Sequence, residues 1–129
     1  MLETLKTGDQ IVACSQVRED WCPVNPRTHP ICLQMYGGAY HLLRDCVPDF
    51  GIEVIFVEDI STAAVTAALT DKTKLVWLET CTNPTIVLLD VAAMAEAIKN
   101  FNKDIIFGVD NTFLSPYILV HTVLCNDSF

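Results

Sequence analysis

Positive charge is scarce in this sequence. Lys and Arg together number 8, against 16 Asp and Glu, so the formal net charge is −8 at pH 7. The basic residues are also scattered along the chain, whereas binding to the phosphates of nucleic acids requires clustered Lys and Arg. The composition therefore argues against a nucleic acid partner.

Long apolar runs are missing too. No stretch approaches the roughly 20 apolar residues that span a bilayer, and the run from Ile86 to Leu89 stops at Asp90. Residues Met1 to Thr4 have neither the basic start nor the apolar core of a secretory signal. Six cysteines without such a signal indicate reduced thiols rather than disulfides. We therefore expect a soluble, cytoplasmic protein without a membrane partner.

Glycine-rich phosphate loops are also absent. The sequence has only five glycines, and it contains neither a G-x-G-x-x-G motif nor a Walker loop. An unrelated α/β module that binds its ligand through such a loop is therefore the least favoured function class.

What the sequence does contain is the pattern of one α/β domain. At 129 residues, 51% of them hydrophobic, the chain is long enough for a single core. Four short apolar runs rich in β-branched residues predict parallel strands covered on both faces: Gln10–Cys14, Ile52–Val57, Lys74–Leu78 and Ile105–Val109. Helical patterns lie between them, with Ser61 and Asp90 as N-caps of the last two: Ala39–Cys46 (closed by Val47-Pro48), Ala63–Leu69 and Val91–Asn100. This alternation predicts a mostly parallel sheet with helices on both faces.

One segment breaks the alternation. Residues Val17–Gln34 carry three of the six prolines and show neither a helical nor a strand period. We expect them to form an atypical insertion without regular structure, since connections of this length are uncommon in compact domains. Potential zinc ligands lie in or beside it: Cys14, Cys22, His29 and Cys32. Their spacing lacks a C-x-x-C pair, so we expect unconnected thiols and no metal site.

Polar side chains follow two of the predicted strands and precede the first predicted helix. Glu79–Thr85 follow the third strand, Asp110–Tyr117 follow the fourth, and Tyr36-Gly37-Gly38 come before the helix. Each motif alone is typical of a turn or a helix cap. In α/β folds, however, ligands bind at the carboxyl ends of the strands. Together the motifs predict a ligand site at that edge of the sheet.

In this order and spacing the motifs resemble the Cys/Met-metabolism group of pyridoxal-phosphate (PLP) enzymes, which includes cystathionine γ-lyases, cystathionine γ-synthases, β-lyases and methionine γ-lyases. Its members show GD-x-[VI], YGGT-x-R, KLVW-[LI]-ETPTNPT and VDNTF-x-SPY segments. The matching residues here are Gly8–Ile11, Tyr36–His41, Lys74–Thr85 and Val109–Tyr117. Their sequences are most similar to those of the eukaryotic γ-lyase branch. The resemblance implies that residues 1–129 are a fragment of the large domain of a fold-type-I PLP-dependent enzyme, with residues 118–129 as an atypical tail.

The resemblance also implies roles around the cofactor. Asp110 would pair with the pyridinium nitrogen and keep it protonated. Tyr36 would stack on the ring face. Asn83 would donate to the phenolic oxygen of the ring, and Glu79 and Thr112 would line the same pocket.

For the substrate, the resemblance implies binding by Tyr36 and His41. His41 replaces the arginine of the YGGT-x-R segment, so a group that is mostly neutral near pH 7 takes the place of a permanent cation. Arg44, one helical turn further on, is an alternative cation at this place.

The family's Schiff-base lysine has no counterpart in this sequence. In the family it follows the SPY motif in a Ser-x-x-Lys-type segment, whereas Ile118–Phe129 contain no lysine. The lysines present all precede Asp110: Lys6, Lys72, Lys74, Lys99 and Lys103. The family's Gly-rich phosphate turn and its C-terminal domain are not matched either. We therefore expect no catalytic residue in this chain and no covalent attachment of PLP.

The activity implied by the resemblance is that of a carbon–sulfur lyase of transsulfuration, which converts cystathionine to cysteine, 2-oxobutanoate and ammonia. Its substrate would be a sulfur amino acid and its assembly a homotetramer, and without the lysine we expect this chain to be inactive alone. Two alternatives stay open: a non-catalytic partner that docks onto full-length family subunits, and a homologue of the cystathionine γ-synthase or methionine γ-lyase type. Residues 17–34 split two segments that are adjacent in the family, and an unspliced short intron is one hypothesis for their origin.

Overall fold

The structure is a computed structural model that describes residues 5–14, 17–18, 31–32, 35–82 and 86–118. The strands are β1 (Gln10–Cys14), β2 (Val17–Arg18), β3 (Ile31–Cys32), β4 (Glu53–Val57), β5 (Thr73–Glu79) and β6 (Ile106–Asp110). The α-helices are α1 (Gly37–His41), α2 (Thr62–Ala68), α3 (Val91–Phe101) and α4 (Ser115–Ile118).

Four strands form a parallel sheet in the order β4-β1-β5-β6. All four predicted strands are confirmed, with bounds that differ from the predicted ones by no more than one residue. The central strand β1 is buried at every position, because neighbours flank it on both sides and side chains cover both of its faces.

The two faces of the sheet carry separate clusters of buried side chains. On one face, Ile11 and Leu75 pack with side chains of the helical residues 37–50, called here the α1 segment, among them Tyr40 and Leu43. The other cluster joins alternate strand residues to α2 and α3: Val12, Val76, Leu78, Val65, Met94 and Ile98. Successive strand side chains point to opposite faces, so a continuous apolar run can serve both clusters. The prediction of helices on both faces is confirmed.

The two longer helices begin at the predicted caps. The Ser61 hydroxyl accepts a hydrogen bond from the N–H of Ala64 at 3.3 Å, and the Asp90 carboxylate accepts one from the N–H of Ala93 at 3.0 Å. Each bond satisfies a main-chain donor that has no partner within the first helical turn.

The segment between Gly37 and Gly51 differs from the prediction of a helix over Ala39–Cys46 that stops at Val47-Pro48. Helix α1 begins at Gly37, continues as a π-helical turn over Leu42–Cys46, and then tightens into a 3-10 helix over Val47–Phe50. Pro48 does not end it, since a proline in the first turn of a helix removes no required N–H. The segment ends instead at Gly51, whose φ of 72° lies in the left-handed region.

The predicted insertion has regular structure at both of its ends. Val17 pairs with Cys32 and Arg18 with Ile31 in a two-stranded antiparallel sheet, so the expectation of no regular structure is wrong for these residues. Residues 19–30 and 33–34 lie outside the described ones, as do residues 119–129 of the predicted tail. That residues 17–34 are an insertion stays a prediction.

No helix within the described ranges is long and apolar enough to cross a membrane. Over the same ranges, no group of three or more His, Cys, Asp or Glu side chains could hold a metal ion. Cys22 and His29 lie outside these ranges, so the prediction about a zinc site stays untested.

Candidate functional site

Two acidic side chains meet at the carboxyl edge of the sheet. Strands β5 and β6 are adjacent and parallel, and Glu79 at the end of one is in register with Asp110 at the end of the other. Both follow the alternation that places Leu75 on the face covered by α1. The sheet therefore brings together two of the residues that the sequence selects.

Asp110 is half-buried, and Thr112 fixes its orientation. The Thr112 N–H donates to Oδ1 of Asp110 at 2.9 Å, and the Thr112 hydroxyl donates to the same oxygen. A side chain that accepts from the main chain two residues on stabilises the turn after β6. Thr112 thus orients Asp110, and its role in lining a cofactor pocket stays a prediction.

Tyr36 reaches the same edge from the loop before α1. Its main-chain N–H donates to Oε1 of Glu79, a bond between residues 43 positions apart. The Tyr36 side chain is 66% exposed. Its ring lies over Gly38, so closely that a Cβ added at that glycine would be 2.6 Å from Cε1 of Tyr36.

Glu79 is a buried carboxyl group, with 6% of its surface exposed. Burial raises its pKa above the ordinary value, the N–H of Tyr36 lowers it, and the negative charge of Asp110 raises it further, with a net upward shift. Perturbed carboxyls of this kind are frequent at functional sites.

Two polar residues beside this pair were missed by sequence reasoning. The hydroxyl oxygen of Thr80 and the amide oxygen of Asn111 are buried without a hydrogen-bond partner among the described residues. Thr80 also donates its N–H to the Asp110 carbonyl at 3.0 Å. Their positions in the sequence could have pointed to them, since each directly follows one of the two acidic residues. Buried polar groups at such a sheet edge require hydrogen-bond partners.

The loop after β5 is pinned at its base. Leu89 donates its N–H to the Thr80 carbonyl at 3.0 Å, and Val87 donates its N–H to the Thr82 hydroxyl at 2.9 Å. Asn83, the predicted donor to the cofactor, lies within residues 83–85, outside the described ones.

His41 lies on the exposed side of the α1 segment. Its Nδ1 is 3.1 Å from Oδ2 of Asp45 and 3.2 Å from Nη2 of Arg44. Arg44 also donates to both Asp45 oxygens, at 2.6 and 2.7 Å, and lies 5.0 Å from the centroid of the Tyr40 ring. The guanidinium, followed by His41, lowers the pKa of Asp45 to about 2. Arg44, the alternative substrate-binding cation, is thus already paired.

All five lysines lie towards the opposite edge of the sheet. Lys6 precedes β1, Lys72 and Lys74 flank the start of β5, Lys99 lies in the last turn of α3, and Lys103 precedes β6. Because β5 has seven residues, the two edges are about 20 Å apart at a rise of about 3.3 Å per residue.

Sequence comparison identifies the family. The profile described as "Cys/Met metabolism PLP-dependent enzyme" matches residues 28–125. The chain belongs to this family. PLP is therefore the cofactor that its membership implies.

Relatives from this family extend well beyond the chain. It is 46% identical over 113 residues to cystathionine gamma-lyase of Rattus norvegicus, which covers 88% of this chain and 24% of the rat protein. It is 37% identical over 113 residues to the Homo sapiens enzyme of the same name, covering 88% of this chain and 23% of the human one. The chain thus spans about a quarter of the length of these relatives.

Solved structures of the family share the fold. One, of O-acetylhomoserine sulfhydrylase from Wolinella succinogenes, matches with a TM-score of 0.72 and 30% identity over 95% of this chain and 30% of that one. Another, of cystathionine gamma-lyase from Lactobacillus plantarum complexed with L-serine, matches with a TM-score of 0.69 and 31% identity over 90% of this chain and 25% of that one. The chain is an α/β fragment of a fold-type-I PLP-dependent enzyme.

The residues of this family member fit the pyridine ring of PLP. Tyr36 offers an exposed aromatic face, and the glycine beneath its ring leaves space that a Cβ at Gly38 would fill. Asp110 offers a half-buried carboxylate held by Thr112, the group that a protonated ring nitrogen requires. The chemistry of these described residues is thus compatible with the ring of PLP.

Proposed function

We propose that this chain forms the ring-binding part of a PLP site in a carbon–sulfur lyase of transsulfuration, which converts cystathionine to cysteine, 2-oxobutanoate and ammonia. The observation that carries the proposal is the meeting of Tyr36, Glu79 and Asp110 at the carboxyl edge of one parallel sheet. Relatives named cystathionine gamma-lyase support the choice of reaction.

Each residue has a separate task in this proposal. Asp110 holds a proton on the ring nitrogen, and Thr112 keeps the carboxylate in place. Tyr36 covers one face of the ring, and Asn83 donates to its phenolic oxygen. When bound, PLP supplies an electron sink for the chemistry at the substrate.

His41 is proposed to contact the substrate. Because it is already close to Asp45 and Arg44, it would do so as part of a charged cluster rather than alone. The sulfur amino acid would then meet the exposed side of the α1 segment. The proposed place of the reaction is the cytoplasm, where thiols such as those of Cys46 and Cys81 stay reduced.

We further propose that these 129 residues alone bind the ring reversibly and do not catalyse the reaction. The lysines lie towards the amino edge of the sheet, and Lys74 within β5 precedes Glu79 by five residues, about 17 Å along the strand. None can therefore form the covalent bond to PLP that this chemistry requires.

A second candidate is a non-catalytic partner that docks onto full-length family subunits. It is favoured by exposed apolar side chains in the segments that follow β5 and β6, three in loops and one at the end of α4: Ile86, Leu88, Phe113 and Ile118. Surfaces of this kind are typical of contact sites. Co-purification with an intact homologue tests this second candidate. For the first candidate, the lyase, the proposed assembly of the whole protein is a homotetramer.

Equilibrium binding of PLP tests the ring site. We expect saturable binding that Asp110→Asn weakens about 10- to 100-fold, the worth of a hydrogen bond to a charged group. Asp104→Asn, a matched change at an exposed site before β6, should leave the affinity unchanged.

Borohydride reduction followed by peptide mass spectrometry tests whether PLP binds without a covalent bond to a lysine. We expect no lysine to carry the cofactor stoichiometrically. A single lysine labelled in full, or equal binding by the two Asp→Asn variants, would contradict the proposal.

A further inference from the structure

Glu79 is a buried acid whose task in the ring site is not explained by its position alone. It ends β5 with 6% of its surface exposed, yet its Oε1 accepts a hydrogen bond from the main-chain N–H of Tyr36. The bond joins the end of the sheet to the loop before α1 across 43 residues. A buried carboxylate that accepts from a main-chain N–H holds that N–H strongly, because the bond is charge-assisted.

The residue that Glu79 holds carries the exposed ring of the site. Tyr36 is the residue before α1, with φ of −56° and ψ of 130°, and its own side chain makes no hydrogen bond to the helix. Its ring lies over Gly38 and is otherwise open to solvent. Within the described ranges, the bond to Glu79 holds the N–H of Tyr36, the N–H of Tyr40 donates to its carbonyl at 3.0 Å, and the ring contacts Gly38.

Charge at the end of β6 links this bond to a ligand. Asp110 lies opposite Glu79 in register and acts on it through its negative charge. On the same face, the neighbouring strand β1 contributes Ala13, which carries no charge. A cationic ring nitrogen at Asp110 would offset the repulsion between the two acids and strengthen the ionised form of Glu79.

We propose that Glu79 is a positioning residue, whose carboxylate holds the main chain of Tyr36 so that the Tyr36 ring lies ready to stack on the pyridine ring. The proposal rests on the function proposed above, since it supposes a ring bound at Asp110. Glu79 acts through Tyr36 and does not touch the ring itself.

The amide resonance of Tyr36 reports the bond directly, without any cofactor. In the 15N-labelled chain we expect the Tyr36 amide proton to move upfield as acid protonates Glu79, with a midpoint above that of an ordinary glutamate. Glu79→Gln should abolish this titration, and Glu58→Gln, a matched change at an exposed residue after β4, should leave it intact. A Tyr36 amide that does not titrate in the wild-type chain would overturn the proposal.

Affinity for pyridoxine 5′-phosphate, which has no aldehyde to react with lysines, tests the link to binding. Glu79→Leu keeps the volume but removes the acceptor, and we expect it to weaken binding about 3- to 10-fold, the worth of an aromatic contact. Glu79→Gln retains an acceptor and should restore affinity to within about twofold of wild type.

A double-mutant cycle then separates positioning from direct contact. Tyr36→Ala removes the ring, so adding Glu79→Leu to it should weaken binding no further. Losses that multiply would overturn the proposal, because Glu79 would then act independently of Tyr36. If the wild-type chain bound no pyridoxine 5′-phosphate, the proposed function would fail, while the Tyr36 titration would still decide whether Glu79 holds Tyr36.

Discussion

At the scale of single residues, the layer beneath the proposed ring site depends on the missing side chain of Gly108. Gly108 is in register with Trp77 two residues before the paired acids, and a Cβ there would lie 2.7 Å from Cε3 and 2.9 Å from Cζ3 of the indole. The indole of Trp77 thus occupies the space that a side chain at position 108 would need. This contact supports the ends of β5 and β6.

We expect Gly108→Ala to lower the free energy of unfolding by about 1–3 kcal/mol, the usual cost of overpacking. Gly37→Ala is the matched control, since a Cβ at that position has no heavy atom within 4 Å. Urea denaturation measures both. Equal stabilities for the two variants would show that the indole moves aside without cost.

Glu79 also makes the stability of the chain depend on pH. Its pKa is raised in the folded state, first by burial and then by Asp110, so the folded chain binds this proton more tightly than the unfolded chain. Its stabilising contribution is therefore complete below the ordinary carboxyl pKa and is lost as the pH rises through the raised value. For Asp45 the pKa shift has the opposite sign, because the folded state lowers it. Its contribution to stability is therefore lost only as the pH falls from 3.8 towards about 2.

We therefore expect Glu79→Gln to be more stable than wild type at pH 7, with a difference that shrinks as the pH falls towards 4.5, the ordinary value for this group. Urea denaturation at a series of pH values measures this difference, with Glu58→Gln as the control. A difference that is constant over this range would show that Glu79 does not titrate as the structure requires.

Local bonds were predictable from the sequence at this scale, and distant ones were not. Ser61 and Asp90 were recognised as caps because each acts on an N–H three residues away. The bond from Tyr36 to Glu79 joins distant residues through a main-chain donor, which has no signature in the sequence. Both residues belong to motifs that predict a ligand site at the carboxyl edge, but nothing in those motifs predicts this contact.

At the scale of elements, the strands were predictable and the α1 segment was not. An apolar run of β-branched residues that alternates with helical patterns predicts a buried parallel strand, and β1 and β5 are such strands. The α1 segment passes through α, π and 3-10 turns, and its end is set by Gly51 rather than by Pro48. Such changes depend on packing against the sheet, which periodicity does not record.

The segment between β1 and Met35 offers an element-scale prediction. Within the part of the chain that the structure describes, β2 and β3 pair with each other and not with the parallel sheet, while Met35 is buried in the core at 2% exposure. Deleting Val17–Gln34 should therefore leave the parallel sheet intact. Shortening the connection should raise the free energy of unfolding by up to about 2 kcal/mol, through the entropy of loop closure.

Thermal denaturation followed by circular dichroism measures this effect. Replacing Val17–Gln34 with a Gly/Ser linker of equal length is the control, because it keeps the length and removes the composition. Loss of the cooperative transition in the deletion, but not in the linker variant, would show that the length itself is required.

At the scale of the whole molecule, the fold divides the chain into two chemically distinct edges. The carboxyl edge carries Glu79, Asp110 and the exposed ring of Tyr36, and the amino edge carries the lysines. Strand β6 forms an outer edge of the sheet, with Ile106 50% exposed. Apolar surface and an open sheet edge favour association, so a longer chain or a partner would be expected to cover them.

Because the two edges differ, one measurement can test whether the PLP ring binds at the carboxyl edge of the sheet. The amide resonances of the 15N-labelled chain should be followed during titration with pyridoxine 5′-phosphate. We expect saturable shifts at Tyr36, Glu79, Asp110 and Thr112, and none at Lys72 or Lys103 on the opposite edge. Shifts confined to the amino edge, or no saturable shift at any of these residues, would contradict a ring site at the carboxyl edge of the sheet.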